Sequence, residues 1–247
     1  MKKIIVLAMI TFIVSCAELE QLVNSLPDGS TSTGTTQSEI IRGLKEALSV
    51  GTDTAVYRLS ATNGYYRDAL VKILLPKEAD VILDNINKIP GGNKLVNNVI
   101  LSINRAAEDA SKQAAPVFKQ AIMSMSISDA LGILNGADNA ATNYLKRTSY
   151  NQLLNLYQPK IKSSVNKNLI GNISTAKAWN DLTGAWNKFA NSTLGQIGGY
   201  KPVNINLEDY LTRKALDGLF IKIAEEEKQI RKDPKARVTE ILRRVFG

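Results

Sequence analysis

The residues with most capacity for chemistry in this 247-residue chain are carboxylates. Asp217, Glu225 and Glu226 fall in one stretch of sequence. Asp217 and Glu225 are eight positions apart, about 80° around a helix, so both would border an inward stripe of Leu216, Phe220 and Ile223. Two carboxyls about 5–9.5 Å apart across a cleft are what hydrolysis of a glycosidic bond requires, which makes these three the candidate catalytic groups. A carboxylate beside an apolar stripe also needs a cationic partner, and Arg213, Arg231 and Arg237 are the candidates. Glu227 to Arg231, Asp209 to Arg213 and Glu240 to Arg244 have the i,i+4 spacing of ion pairs on an outer helix face. Absences narrow the rest. The chain has no histidine and a single cysteine, which removes Ser-His-Asp and Cys-His nucleophiles, zinc sites built from those ligands, histidine-ligated haem and structural disulfides.

Three other constellations are expected to be structural. Ser164-Val165-Asn166-Lys167 has the Ser-x-x-Lys spacing of penicillin-binding proteins and β-lactamases, but the Ser-Asp-Asn and Lys-Thr-Gly partner motifs are missing. Asp129, Asn135, Asp138 and Asn139 offer oxygen ligands without the order of an EF-hand loop, so caps and turns explain them and no metal site is expected. Trp179, Trp186, Tyr200 and Tyr210 are candidates for a ligand groove, although aromatics at helical spacing more often fill a core. No cofactor is expected.

Cys16 follows a charged start, Lys2-Lys3, and an apolar run from Ile4 to Val14, with Ser15 before it. The run of 11 residues is well short of the ~20 needed to span a bilayer and has the form of a secretory signal. With Cys16 at the first position after the cut, this segment resembles the lipobox of bacterial lipoproteins. The resemblance implies diacylglycerol on the sulfur, cleavage after residue 15 and acylation (palmitate) of the new amino group. Several chains make such an anchor stable. Ala17 in the next position resembles a lipoprotein forwarded to the outer membrane, with the domain facing the periplasm. The expected partner is therefore the membrane, through the N-terminal lipid, together with an envelope lipid, glycan or protein. Nucleic acid is not expected, and the net charge of +8 is scattered rather than concentrated in blocks.

The organisation follows from this. Residues 1–15 read as signal peptide, and residues 16–37 as the lipidated cysteine and a Gly/Ser/Thr tether spanning about 25 Å in r.m.s. terms. Residues 38–247 read as one all-α domain, a multi-helix bundle with a long central helix. Ser38 is a plausible first cap, and Ile41, Leu44, Leu48, Ala55 and Leu59 recur at helical spacing. Pro76 would start a helix reaching Ile89. Leu95, Val99, Ile103, Ala106, Ala110, Ala114, Val117, Ala121 and Met125 form one stripe, the central helix over 93–125, which Pro116 kinks or divides. Ser128 would cap the next segment. Separate helices are expected around Tyr144 and around Leu153–Val165, the second bent by Pro159. Trp179, Leu182, Trp186 and Phe189 mark another, Asn206 caps a long helix over 207–231, and 235–246 is the last. No segment shows a strand period.

Several strings are read together: Gly43-Leu44-Lys45-Glu46-Ala47-Leu48, Leu101-Ser102-Ile103-Asn104-Arg105-Ala106-Ala107-Glu108, Ile127-Ser128-Asp129-Ala130, Ala140-Ala141-Thr142-Asn143-Tyr144-Leu145, and the closing run Ala215-Leu216-Asp217-Gly218-Leu219-Phe220 with Glu225-Glu226, Ile230-Arg231 and Val245-Phe246-Gly247. Together they resemble the bacterial domain-of-unknown-function family numbered 4197, over roughly residues 38–247. The resemblance implies an exported, largely helical domain and brings no activity with it. Within it, Asn104, Arg105, Glu108, Asp129, Thr142, Asp217, Glu225, Glu226, Arg231 and Arg237 are the polar positions to examine for function. The expected role is binding or scaffolding at the envelope, with a carboxylate-dependent hydrolase of cell-wall glycan or lipid as the alternative.

Overall fold

The computed structural model of the chain describes residues 35–247. Cys16, the signal segment and nearly all of the expected tether lie outside them. The first helix, α1 (Gln37–Ser60), is capped not by Ser38 but by Thr36. Glu39 stands three residues after Thr36, so the two close a reciprocal box: Glu39 N donates to Thr36 Oγ1 at 3.2 Å and Thr36 N to Glu39 Oε2 at 3.0 Å.

Residues 61–76 run without a helix. Pro76 then opens not one helix to Ile89 but a 3₁₀ turn (Lys77–Ala79), α2 (Asp80–Asp84) and a second 3₁₀ turn (Ile86–Lys88). Asn85 explains the break, because its amide donates to Val81 O at 3.0 Å and competes for a carbonyl that the helix would use. The stripe over 93–125 is two helices, α3 (Gly92–Ser111) and α4 (Ala114–Ser124). Pro116 is the third residue of α4, where no intrahelical N–H is needed. Asp129 rather than Ser128 caps α5 (Ala130–Leu134), accepting from Gly132 N at 2.9 Å.

The two helices expected around Tyr144 and around Leu153–Val165 are one, α6 (Ala140–Val165), with Pro159 inside it. Leu145, Leu153, Tyr157, Ile161 and Val165 bury a continuous face through it. Pro159 and Asn155 both face solvent, so water can serve the carbonyl left without a donor. A two-residue Gly171-Asn172 turn then closes an unexpected small antiparallel hairpin, β1 (Asn168–Ile170) and β2 (Ile173–Ser174). After it come α7 (Thr175–Ala190), α8 (Thr193–Ile197) and α9 (Leu207–Lys232), the last capped by Asn206 as its sequence predicts. Beyond Asp233, a 3₁₀ turn (Pro234–Ala236) precedes α10 (Glu240–Phe246), shorter than the expected 235–246 because Thr239 supplies the cap.

The described chain is thus an all-α bundle with one small hairpin. Its middle is shared: α9 lies along α1 and α6, while α3 lies against α6 and α7 and meets α9 more briefly. Leu207, Leu211, Leu216, Leu219, Phe220 and Ile223 of α9 are all buried, as their spacing predicts. Gly218 is required by close approach, since a Cβ there would stand 2.7 Å from the buried Tyr65 ring. Among the described residues, no helix is long and apolar enough to cross a membrane.

The domain closes on itself where α10 meets α1. Arg244 donates to Glu39 Oε1 at 2.7 Å, and Val245 packs on Gly43. The Thr36 N–H and the Arg244 guanidinium hold the Glu39 carboxyl down to about 2, from an ordinary 4.5. A depressed carboxyl contributes stability above its unfolded pKa and loses it as pH falls through the folded one. The stability difference between wild type and Glu39→Gln is therefore expected to be full near pH 6 and to vanish as pH falls from about 4.5 to about 2. Thermal unfolding of both proteins across that range measures it, and a constant difference would contradict the linkage.

Candidate functional site

The three candidate catalytic carboxylates do not converge. Asp217 pairs with Lys146 of α6 at 2.8 Å, Glu225 with Lys222 at 2.9 Å, and Glu226 with Arg58 of α1. On one straight helix, Asp217 and Glu225 are separated by about 12 Å of axial rise. Each is held toward a different neighbour. None takes the expected arginine from Arg213, Arg231 or Arg237, which are engaged with Asp209, with Glu227 and with the end of α9 respectively. Burial pushes the Glu226 carboxyl up, with Arg58 opposing. Burial works against the charge on Lys222, but Asp68 at 2.7 Å and Glu225 outweigh it and hold the ammonium above its usual range.

The remaining polar positions form two clamps. In the first, Asn104 is fully buried on α3 and treats the irregular 61–76 segment as a strand partner. It accepts from Ile73 N at 2.9 Å and donates to Ile73 O at 2.7 Å. One turn on, Glu108 accepts from the Tyr65 and Tyr66 N–H groups, both at 3.2 Å. Arg105 pairs with Glu108 at 2.5 Å and reaches Asn63 Oδ1 at 2.9 Å.

The second clamp centres on Glu227, a residue that its spacing placed on an outer face and that is in fact fully buried. Its carboxylate accepts from Ala141 N at 3.0 Å, Thr142 N at 2.7 Å and Thr142 Oγ1 at 2.6 Å, so it caps α6 from outside that helix. Arg231 pairs with it at 2.7 Å and donates to Leu134 O and Ile133 O at the end of α5. Arg237 closes α9 by donating to Ile230 O and Arg231 O. The signal for Glu227 lay in its neighbours: the start of α6 is Ala140-Ala141-Thr142 after Asn139, whose side chain does not cap it.

Ser164 and Lys167 both turn to Asp109, at 2.9 and 2.6 Å, and Ser164 is fully buried. Burial opposes the Asp109 charge, but Lys167, Ser164 and Lys112 together keep its carboxyl below the usual range. The serine donates to Asp109 rather than to the amine of Lys167. Asp138 pairs with Lys232 at 2.6 Å.

Of the concave surfaces among the described residues, two include candidate residues. One, of about 660 Å³, lies between the 70–80 segment and α9. Leu70, Leu74 and Ile221 are exposed in it, Tyr210 donates to Leu74 O at 2.9 Å, and Asp217, Glu78 and Asp80 are among its lining residues. The other, of about 430 Å³, is bounded by α7 and the 203–208 segment, with Trp179 in its wall. The four candidate groove aromatics are therefore divided. Trp179 and Tyr210 line different cavities, and Trp186 is buried in a cluster with Phe189 and Tyr200.

The family model described as "Protein of unknown function (DUF4197)" matches residues 34–247. The chain belongs to that family. No curated protein and no solved structure matches it. The DUF4197 strings coincide with the contacts above. Asn104, Arg105 and Glu108 of one make the first clamp, Thr142 of another and Arg231 of the closing run make the second, Gly43 sits where α10 approaches α1, and Gly218 where the Tyr65 ring meets α9.

Proposed function

We propose that this DUF4197 chain is a lipid-anchored protein of the cell envelope whose helical domain binds or scaffolds rather than catalyses. The observation that carries the reading is the dispersal of Asp217, Glu225 and Glu226 to separate cations, so that these three carboxyls do not meet across a cleft. The anchor rests on Cys16 and the apolar run before it, with the outer membrane, facing the periplasm, as the address implied by Ala17.

Thioether formation needs the sulfur of Cys16. Labelled palmitate is therefore expected to enter the wild-type protein, and Cys16→Ser is expected to abolish the label and leave uncleaved precursor. Label that survives Cys16→Ser would overturn the anchor. The hydrolase reading draws on one observation, that Asp217, Glu78 and Asp80 line one groove. Cell-wall turnover by the purified protein that falls with Asp217→Asn would favour it over binding.

A further inference from the structure

The pocket beside α7 differs in chemistry from the rest of this basic chain. Among the described residues, none that lines it is a lysine or arginine, although the chain carries 31 of them. Its polar side chains are four amides, Asn180, Asn187, Asn204 and Asn206, one carboxylate, Glu208, and the Thr183 hydroxyl, which donates to Trp179 O, and its wall includes Trp179.

The amides divide by task. Asn187 is spent on the fold, donating to Val203 O at 3.0 Å and accepting from Val203 N at 2.8 Å, so that it fixes the opposite wall. Asn206 accepts from Asp209 N as the cap of α9, which leaves its NH₂ group to the pocket. Asn180 and Asn204 are exposed, and each offers a donor and an acceptor together. The volume of about 430 Å³ falls within the ~300–1,000 Å³ of small-ligand sites.

We propose that this pocket binds a neutral oligosaccharide. Sugar hydroxyls donate and accept at once, which matches free amides and a carboxylate acceptor. A phosphate or an anionic headgroup would meet Glu208 with no cation to offset it. An acyl chain would bury the amides without partners. The inference deepens the envelope-binding reading and rests on it, because such a glycan is met at the envelope.

The test is calorimetric titration of the full-length lipidated protein, held in a detergent without a sugar headgroup, with chitotetraose and with maltotetraose. Tetra-alanine and glycerol phosphate serve as comparisons. Saturable binding of at least one sugar is expected, weakened about tenfold in Asn180→Ala/Asn204→Ala by the lost hydrogen bonds, with the melting temperature unchanged. Should the double variant lose helicity, Asn204→Ala alone decides, with a smaller loss expected. Absence of binding to both sugars, binding undiminished by these substitutions, or tighter binding of either comparison overturns the proposal. Palmitate labelling at Cys16 is read separately, so failure of the anchor and failure of the pocket are distinguishable.

Discussion

Glu227→Ala is expected to cost about 3–5 kcal/mol of folding stability, the usual cost of removing one partner of a buried ion pair. The substitution strands Arg231, which is nearly buried, and removes the acceptor for two N–H groups at the start of α6. It also leaves the Thr142 hydroxyl without its acceptor. Arg231→Ala should cost less than the sum of separate effects when combined with Glu227→Ala, since both act through one network. Urea denaturation of the two single variants and the double variant measures this. A loss for Glu227→Ala no larger than that of a surface ion pair, below about 1 kcal/mol, would contradict the assignment.

Asn104→Ala is expected to cost about 2–4 kcal/mol, because it leaves both the N–H and the C=O of Ile73 unpartnered in a buried position. The loss should also be local. Val71, Ile73 and Leu75 point inward while Lys72 and Leu74 point out, so this stretch has a strand's alternation and, at Ile73, a single side chain in place of a neighbouring strand. Hydrogen exchange should therefore quicken first over residues 71–75, with α6 and α9 little changed. Uniform quickening would mean that the clamp supports the whole bundle instead.

These two residues also mark where the sequence was legible and where it was not. Helical period found the faces of α1, α3, α7 and α9, because a buried stripe every three or four residues is a local property. The hairpin of β1 and β2 had a local signal too, the Gly171-Asn172 pair, but a strand of two or three residues is too short for a period to register. The apolar run at 73–75 was likewise too short, although alternation from Val71 to Leu75 was present. Pro116 and Pro159 show why proline alone is ambiguous: one falls in a first turn that needs no donor there, the other on a wet face. Glu227 was read as an outer charge because its i,i+4 partner Arg231 is equally consistent with a buried pair. Only the meeting of α9 with the start of α6, 85 positions away in sequence, decides between them. The candidate carboxylates were misgrouped for the same reason. Their common helix says nothing of which neighbouring helix each one faces.

The contact between α1 and α10 bears on the order in which the chain can fold. Of the described helices, α1 leaves the ribosome first and α10 last, yet Leu242 completes a small cluster with Ala47 and Ile230 that neither end can form alone. A nascent chain stopped before Glu240 would present α1 with Gly43 and Ala47 uncovered on that side. Closure must wait until α10 has emerged, about 200 residues after α1, a long-range step of the kind that slows folding and gives chaperones a window in which to bind.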